Sequence, residues 1–287
     1  MMKVETRVPG VLILGLILGG VAACGGGDTD SPGAADAVTE MPFDVSTAGS
    51  VQGMVMFEGT APPPEPLSGM ESERSCWESY DEPPAREWVK VRDGHLAEVF
   101  VYVKEGLEGM EFPVPQEAVV IDQSGCRYIP SVLGAMVNQA ITLRNSDGLL
   151  HNINATPAEN RGFNIGQPVN METNRSFALP EVMIPIRCDV HGWMSAWLGV
   201  LSHPYHTVTG DAGTFSLADL PPGEYVIEAW HPRLGSQEQT ITVTTGETTS
   251  VSFTFSDATL SHAPSPVSGA TVAHVHPVPS PSVAMGR

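Results

Sequence analysis

The chain has 287 residues and a formal net charge of −19, from 14 basic and 33 acidic side chains. That balance argues against nucleic acid as a partner, because a polyanion is bound through clustered Lys and Arg. Charged residues make up only 16 % of the chain, while 29 glycines and 25 prolines favour short strands and tight turns over long helices. The length leaves room for one large or two ordinary domains. Beyond the N-terminus no segment carries sustained 3.6-residue apolar periodicity, so the expected class is all-β.

In chain order, the first segment is a targeting signal. Lys3 and Arg7 form a basic start, "VLILGLILGGV" is an apolar run too short to span a bilayer comfortably, and "VAAC" closes it with small residues. This resembles a bacterial lipoprotein signal. The resemblance implies that residues 1–23 are removed and that Cys24 becomes the lipidated first residue, anchoring the protein to a membrane. Gly25 rather than Asp follows the cysteine, which in such proteins implies the outer membrane and an exposure to the periplasm. Residues 24–48 are rich in Gly, Asp and Ala and read as a flexible tether.

Order is expected to begin at "SVQGMVMFEG", a strand stopped by "TAPPPEP". Residues 68–86 are polar and carry Cys76; a short helix or an irregular loop are both open. "EWVKV" and "AEVFVYVKEG" read as strands with an Asp93-Gly94 turn between them. "EAVVIDQ", "CRYIPSVLGAMV", "QAITLRNSD", "LLHNINA" and "RSFALP" continue a series of short β-rich runs, and "MIPIRC" and "AWLGVL" flank a loop. Strands at this interval imply a sandwich or barrel.

After His203 the texture changes. Pro221-Pro222-Gly223 suits a type II turn, and "YVIEAW", "QTITVTT" and "SVSFTF" alternate as half-buried strands. This stretch resembles the carboxypeptidase regulatory-like family, which implies a small prealbumin-like β-sandwich. Its expected bounds are 204–256, with residues 50–58 as an alternative completing strand. Residues 257–287 are rich in Pro, Ser and Ala and read as a disordered tail in which His262, His274 and His276 are scattered.

With Cys24 lipidated, Cys76, Cys126 and Cys188 remain for an oxidising compartment, and an odd count leaves one thiol unpaired. Cys76 and Cys126 both sit in loop-like sequence and form the natural disulfide pair. Cys188 is then the free thiol, in "IPIRCDVHGWMSAW", with His191 and Met194 at three-residue intervals.

A metal-bound cysteine is a thiolate, and a thiolate with a thioether selects copper over harder cations. Two His, one Cys and a weak axial Met make a blue-copper site. The second histidine is best supplied by His151 in "LRNSDGLLHNINA"; His95, His203, His206 and His231 fit less well. An upstream His-Asn on a strand followed by C-x2-H-x2-M between two strands resembles the cupredoxin family, over residues 87–202. The resemblance implies a Greek-key sandwich within residues 49–203, behind an N-terminal extension. It implies one type 1 copper held by His151, Cys188, His191 and Met194, with Asn152 bracing the cysteine loop. It also implies an electron carrier rather than a catalyst, with His191 as the exit near the surface. A redox protein such as a c-type cytochrome or a dehydrogenase would be its partner. Trp193 and Trp197 are candidates for the apolar docking patch. Two departures stand out: the long N-terminal extension, and Asp189 on the ligand loop, an acidic group that tends to lower a potential. A copper-delivery protein and a metal-free binding sandwich with a buried Cys188 are the competing readings.

Overall fold

Strict alternation builds the first of two sandwiches. In Thr248–Ser256 the side chains of Val251, Phe253 and Phe255 are buried while the intervening Ser and Thr point outward. The computed structural model describes residues 40–262. The signal segment, Cys24, most of the tether, His274 and His276 lie outside the described residues.

Gly49–Glu58 lies at the centre of the first sheet, parallel to Thr248–Ser256 and antiparallel to Thr214–Leu220. His95–Leu96 and Val91–Arg92 extend that sheet, joined by the turn at Asp93 and Gly94. The facing sheet runs His206–Val208, Phe100–Glu105, Gly223–His231, Gly235–Val243. Val51, Val55, Phe57, Val101, Ile227 and Phe253 lie in the core between the two sheets.

The expected boundary at residue 203 differs from these ladders. Gly49–Glu58 hydrogen-bonds to strands of the C-terminal module, the alternative left open for residues 50–58, and Phe100–Glu105, assigned from sequence to the cupredoxin-like part, does so as well. A strand's alternation states which face is buried but not which partner it pairs with. The pairing of Phe100–Glu105 with Gly223–His231 crosses more than a hundred residues and leaves no local mark.

The second sandwich carries the remaining strands. One sheet runs Met171–Arg175, Ile141–Asn145, Val119–Gln123, Tyr128–Ile129; the other runs Phe163–Gln167, His151–Ala155, Glu181–Arg187, Ser195–Leu201, Val132–Met136. Ile121, Leu143, Ile153, Ile184, Ile186 and Leu198 fill its core, and Met70, Cys76 and Cys126 belong to the same cluster. Of the two readings open for residues 68–86, a short helix or an irregular loop, the structure has the short helix. A 3-10 turn at Met70–Ser72 leads into the single helical turn Arg74–Trp77.

The sandwiches meet through Phe100, Tyr102, Val132, Met183 and Leu201, with Trp197 edge-on to Trp230 at 5.5 Å between ring centroids. Glycine makes this approach possible. A Cβ on Gly199 would sit 2.6 Å from the Phe100 ring, and one on Gly134 would sit 2.7 Å from it. Trp197, a candidate for the docking patch, is instead part of the inter-sandwich contact.

Candidate metal centre

Four segments deliver the site. His151 opens the strand His151–Ala155, immediately after the turn Ser146–Leu150. Cys188 directly follows the strand Glu181–Arg187, which pairs antiparallel with Ser195–Leu201, and the connecting loop carries His191. That loop is closed by its own backbone: Met194 N–H donates to His191 O at 2.9 Å, and Cys188 N–H donates to Met194 O at 3.3 Å. The fourth segment is Gly125–Cys126, described below.

His151 Nδ1 lies 2.8 Å from His191 Nδ1, and the latter lies 4.0 Å from Cys188 Sγ. The three ligand atoms all lie within 4.8 Å of one another. Exposures of 0 % for His151, 3 % for Cys188 and 4 % for His191 leave no wide path from solvent. Met194 is also buried, at the loop's end. The structure thus brings His151, Cys188 and His191 to one point, with Met194 on the same loop. His191, expected near the surface, is covered: Trp193 packs against its ring at 5.0 Å, and Gly69 approaches the outer edge of Trp193.

Asn152 braces the loop. Its Oδ1 accepts from Asp189 N–H at 2.7 Å and Val190 N–H at 3.3 Å, and it lies 3.3 Å from Cys188 Sγ. Asp189 is not free to act as an isolated charge, since Asn152, Asn154 and Asn164 each donate a side-chain N–H to its carboxylate. These bonds hold its pKa below the usual carboxylate value.

Sequence reasoning missed Asp147. Its Oδ2 lies 2.9 Å from His151 Nε2, and its carboxylate accepts from Gly125 N–H at 2.6 Å and Cys126 N–H at 2.8 Å. Gly125 and Cys126 both have positive φ, so two successive N–H groups converge on one anion. The carboxylate engages Nε2 of His151 and leaves Nδ1 facing Cys188 and His191. The available signal was an Asp four residues before a candidate ligand, hidden inside a turn-like "NSDG".

Cys76 and Cys126 are joined at 1.98 Å. Cys126 O also accepts from Trp193 Nε1–H at 3.0 Å. The disulfide loop therefore holds the site from two sides, through Asp147 to His151 and through Trp193 to His191. With its sulfur in a disulfide, Cys126 has no thiolate to offer, although it lies close to Asp147 and His151.

Charge follows the same arrangement. Burial would lower the His151 pKa, but the Asp147 and Cys188 partners outweigh it and lift it to about 9. Burial would raise the Cys188 pKa, but hydrogen bonds, His151 foremost, bring it below the ordinary thiol value. The His191 pKa is lowered by burial and by the charge of His151. A lowered thiol beside a raised imidazole favours the thiolate, the form that binds metal. Two imidazoles presenting Nδ1, one thiolate-prone sulfur and a buried thioether on the same loop fit a soft, borderline-size ion such as copper.

Residues 200–256 match the family model of the carboxypeptidase regulatory-like domain. No curated protein sequence matches the chain. Among solved structures, an oxidized proline-to-glycine mutant of amicyanin is similar, at 18 % identity over 34 % of this chain and 89 % of that chain, with a TM-score of 0.27. A copper-containing nitrite reductase from Thermus scotoductus SA-01 is similar at 17 % identity over 36 % of this chain and 25 % of that chain, with a TM-score of 0.28.

Proposed function

We propose that this protein is a mononuclear copper protein that passes single electrons between redox partners. The observation that carries the reading is the convergence of His151 Nδ1, His191 Nδ1 and Cys188 Sγ in a buried cluster. Copper bound there would supply one-electron exchange between its two oxidation states.

The chain's own residues supply the rest. His151, Cys188 and His191 would hold the ion, and Met194 would act as the weak axial donor. Asp147 fixes the His151 ring, Asn152 fixes the cysteine loop, and the disulfide loop fixes both, so the ligands have little freedom to rearrange with a change of charge. Burial of all three ligand atoms excludes bulk water and bulky substrates, which favours electron exchange over turnover of a substrate at the metal. The same burial disfavours a delivery role, because ready release needs ligands that a receiving protein can reach. Leu150 and Val190, each adjacent in sequence to a histidine of the cluster, are about half exposed. They would form the apolar contact for a redox partner, such as a c-type cytochrome or a dehydrogenase.

From its N-terminal sequence the protein would be tethered through Cys24 on the periplasmic side of the envelope, at the outer membrane. The test is voltammetry with visible spectroscopy on the copper-loaded protein. A reversible one-electron wave and an intense thiolate-to-copper band support the reading; colourless, redox-silent copper binding contradicts it.

A further inference from the structure

Beside the ligand loop, and outside the metal cluster, lies a cavity of about 710 Å³. That volume is in the range of small-molecule sites. It is walled by parts of residues 64–98, 127–132, 193–195 and 208–209. Its polar side is unusual for a chain of net charge −19. Arg86 and Arg127 both line it, and neither forms an ion pair among the described residues.

Arg86 donates from Nη1 to Ser195 Oγ at 2.6 Å and stacks on Trp88 with its Cζ 3.8 Å from the ring centroid. Arg233 approaches the same ring at 4.9 Å, so a second guanidinium shares it. Burial, in spite of a nearby Glu98, brings the Arg86 pKa down to about 10, and the charges of Arg127 and Arg233 add to that. Arg127 donates from Nη2 to Ala85 O at 3.2 Å, but its Nε is buried without a hydrogen-bond partner. Ser131 Oγ, on the same wall, is likewise buried and unpartnered. Of the other charged groups on the wall, Glu87 is held by Arg92 at 2.5 Å and Lys90 by Asp211 at 2.8 Å. Glu98 forms no ion pair among the described residues, so two guanidinium groups face one carboxylate.

Two like charges gathered around a cavity, with unpartnered donors beside them, are costly unless an anion offsets them. A planar guanidinium matches a carboxylate in a bidentate way. Leu67, Ile129, Pro130, Val132 and Trp193 supply an apolar part of the wall. We propose that this cavity binds a small organic carboxylate, its charged group between Arg86, Arg127 and the Ser131 hydroxyl and its apolar body against Ile129 and Trp193. The occupant would touch Trp193 and Met194 on the ligand loop and so lie one side chain from the metal cluster. The site itself stands without the copper reading, because none of its anchoring groups belongs to that cluster.

The test is calorimetric titration of the full, metal-free chain with benzoate at low salt, with benzyl alcohol and inorganic phosphate as comparisons. Saturable one-site binding of benzoate is expected, at least tenfold tighter than either comparison. Arg127→Gln and Arg86→Gln should each weaken it at least tenfold. Ile129→Glu is the second route, because Ile129 is exposed and its replacement places a carboxylate at the rim without touching the core. It should abolish benzoate binding with an unchanged unfolding midpoint. The proposal is overturned if wild type shows no saturable benzoate binding, if benzyl alcohol or phosphate binds as tightly, or if Ile129→Glu binds like wild type. Since no metal is present, these results are independent of those that decide the copper reading.

Discussion

Asp147 and His151 share a contact of 2.9 Å between carboxylate Oδ2 and ring Nε2, and the same carboxylate is seated on the N–H groups of Gly125 and Cys126. One side chain thus ties the strand His151–Ala155 to a disulfide loop. It also decides which nitrogen of His151 faces Cys188.

The Asp147→Ala variant should bind copper about 10–100-fold more weakly, the usual effect of removing the partner that orients a ligating histidine. Chelator competition measures this directly. An unchanged affinity would mean that packing alone orients His151.

Asn152→Ala removes the acceptor for two backbone donors in the cysteine loop. Both bonds are only part-buried, so their loss costs about 0.5–1.5 kcal/mol each, and the metal-free protein should lose about 1–2 kcal/mol of stability in denaturant. The visible band of the copper-loaded variant should also broaden as the Cys188 loop loosens.

Replacing both Cys76 and Cys126 by Ala opens a link that spans 50 residues. A stability loss of about 2–4 kcal/mol is expected by chemical denaturation. Copper affinity should fall as well, because Gly125 and Cys126 hold Asp147. Loss of stability with full copper affinity would show that the disulfide serves the fold alone.

Three histidines outside the His151–Cys188–His191 cluster contribute a pH dependence. Burial, the first cause in each, lowers the pKa of His231 to about 3 and those of His203 and His206 to about 4. Below the unfolded value of about 6.5, the unfolded chain takes up protons that these sites refuse. The contribution of these sites to the unfolding free energy should therefore be fully present above pH 6.5 and decline as the pH falls toward 4, while the raised His151 contributes stability in the metal-free protein that is lost as the pH rises from 6.5 toward 9. His231 Nδ1 accepts from Arg233 N–H while Nε2 is unpartnered. His231→Asn should flatten part of the decline in urea melts at pH 4.5, 5.5 and 6.5.

Much of the centre was legible because its chemistry is local. Cys188, His191 and Met194 fall within seven residues, and "HN" at 151 and 152 precedes a strand. The all-β class was legible for a similar reason, since inward Val251, Phe253 and Phe255 alternate with polar residues in plain view. What escaped was non-local. Asp147 looks like turn chemistry until Gly125 and Cys126 are folded beneath it. The strand Phe100–Glu105 gives no hint that residues 223–231 run beside it, whereas Gly49–Glu58 was open to the C-terminal module by its resemblance to such a module's first strand. Trp197 sits three residues from a metal-ligand candidate, yet strand alternation turns it toward Trp230 and away from the site. The burial of His191 depends on Trp193 and Gly69, which belongs to a segment outside the strand pattern.

X-ray absorption at the copper edge, on the loaded wild type and on Cys188→Ser, tests most directly whether these side chains form one metal site. One short sulfur contact and two imidazole nitrogens in the wild type, with the short sulfur lost in the variant, is the predicted result. A copper shell made only of nitrogen and oxygen, unchanged by the substitution, would contradict it.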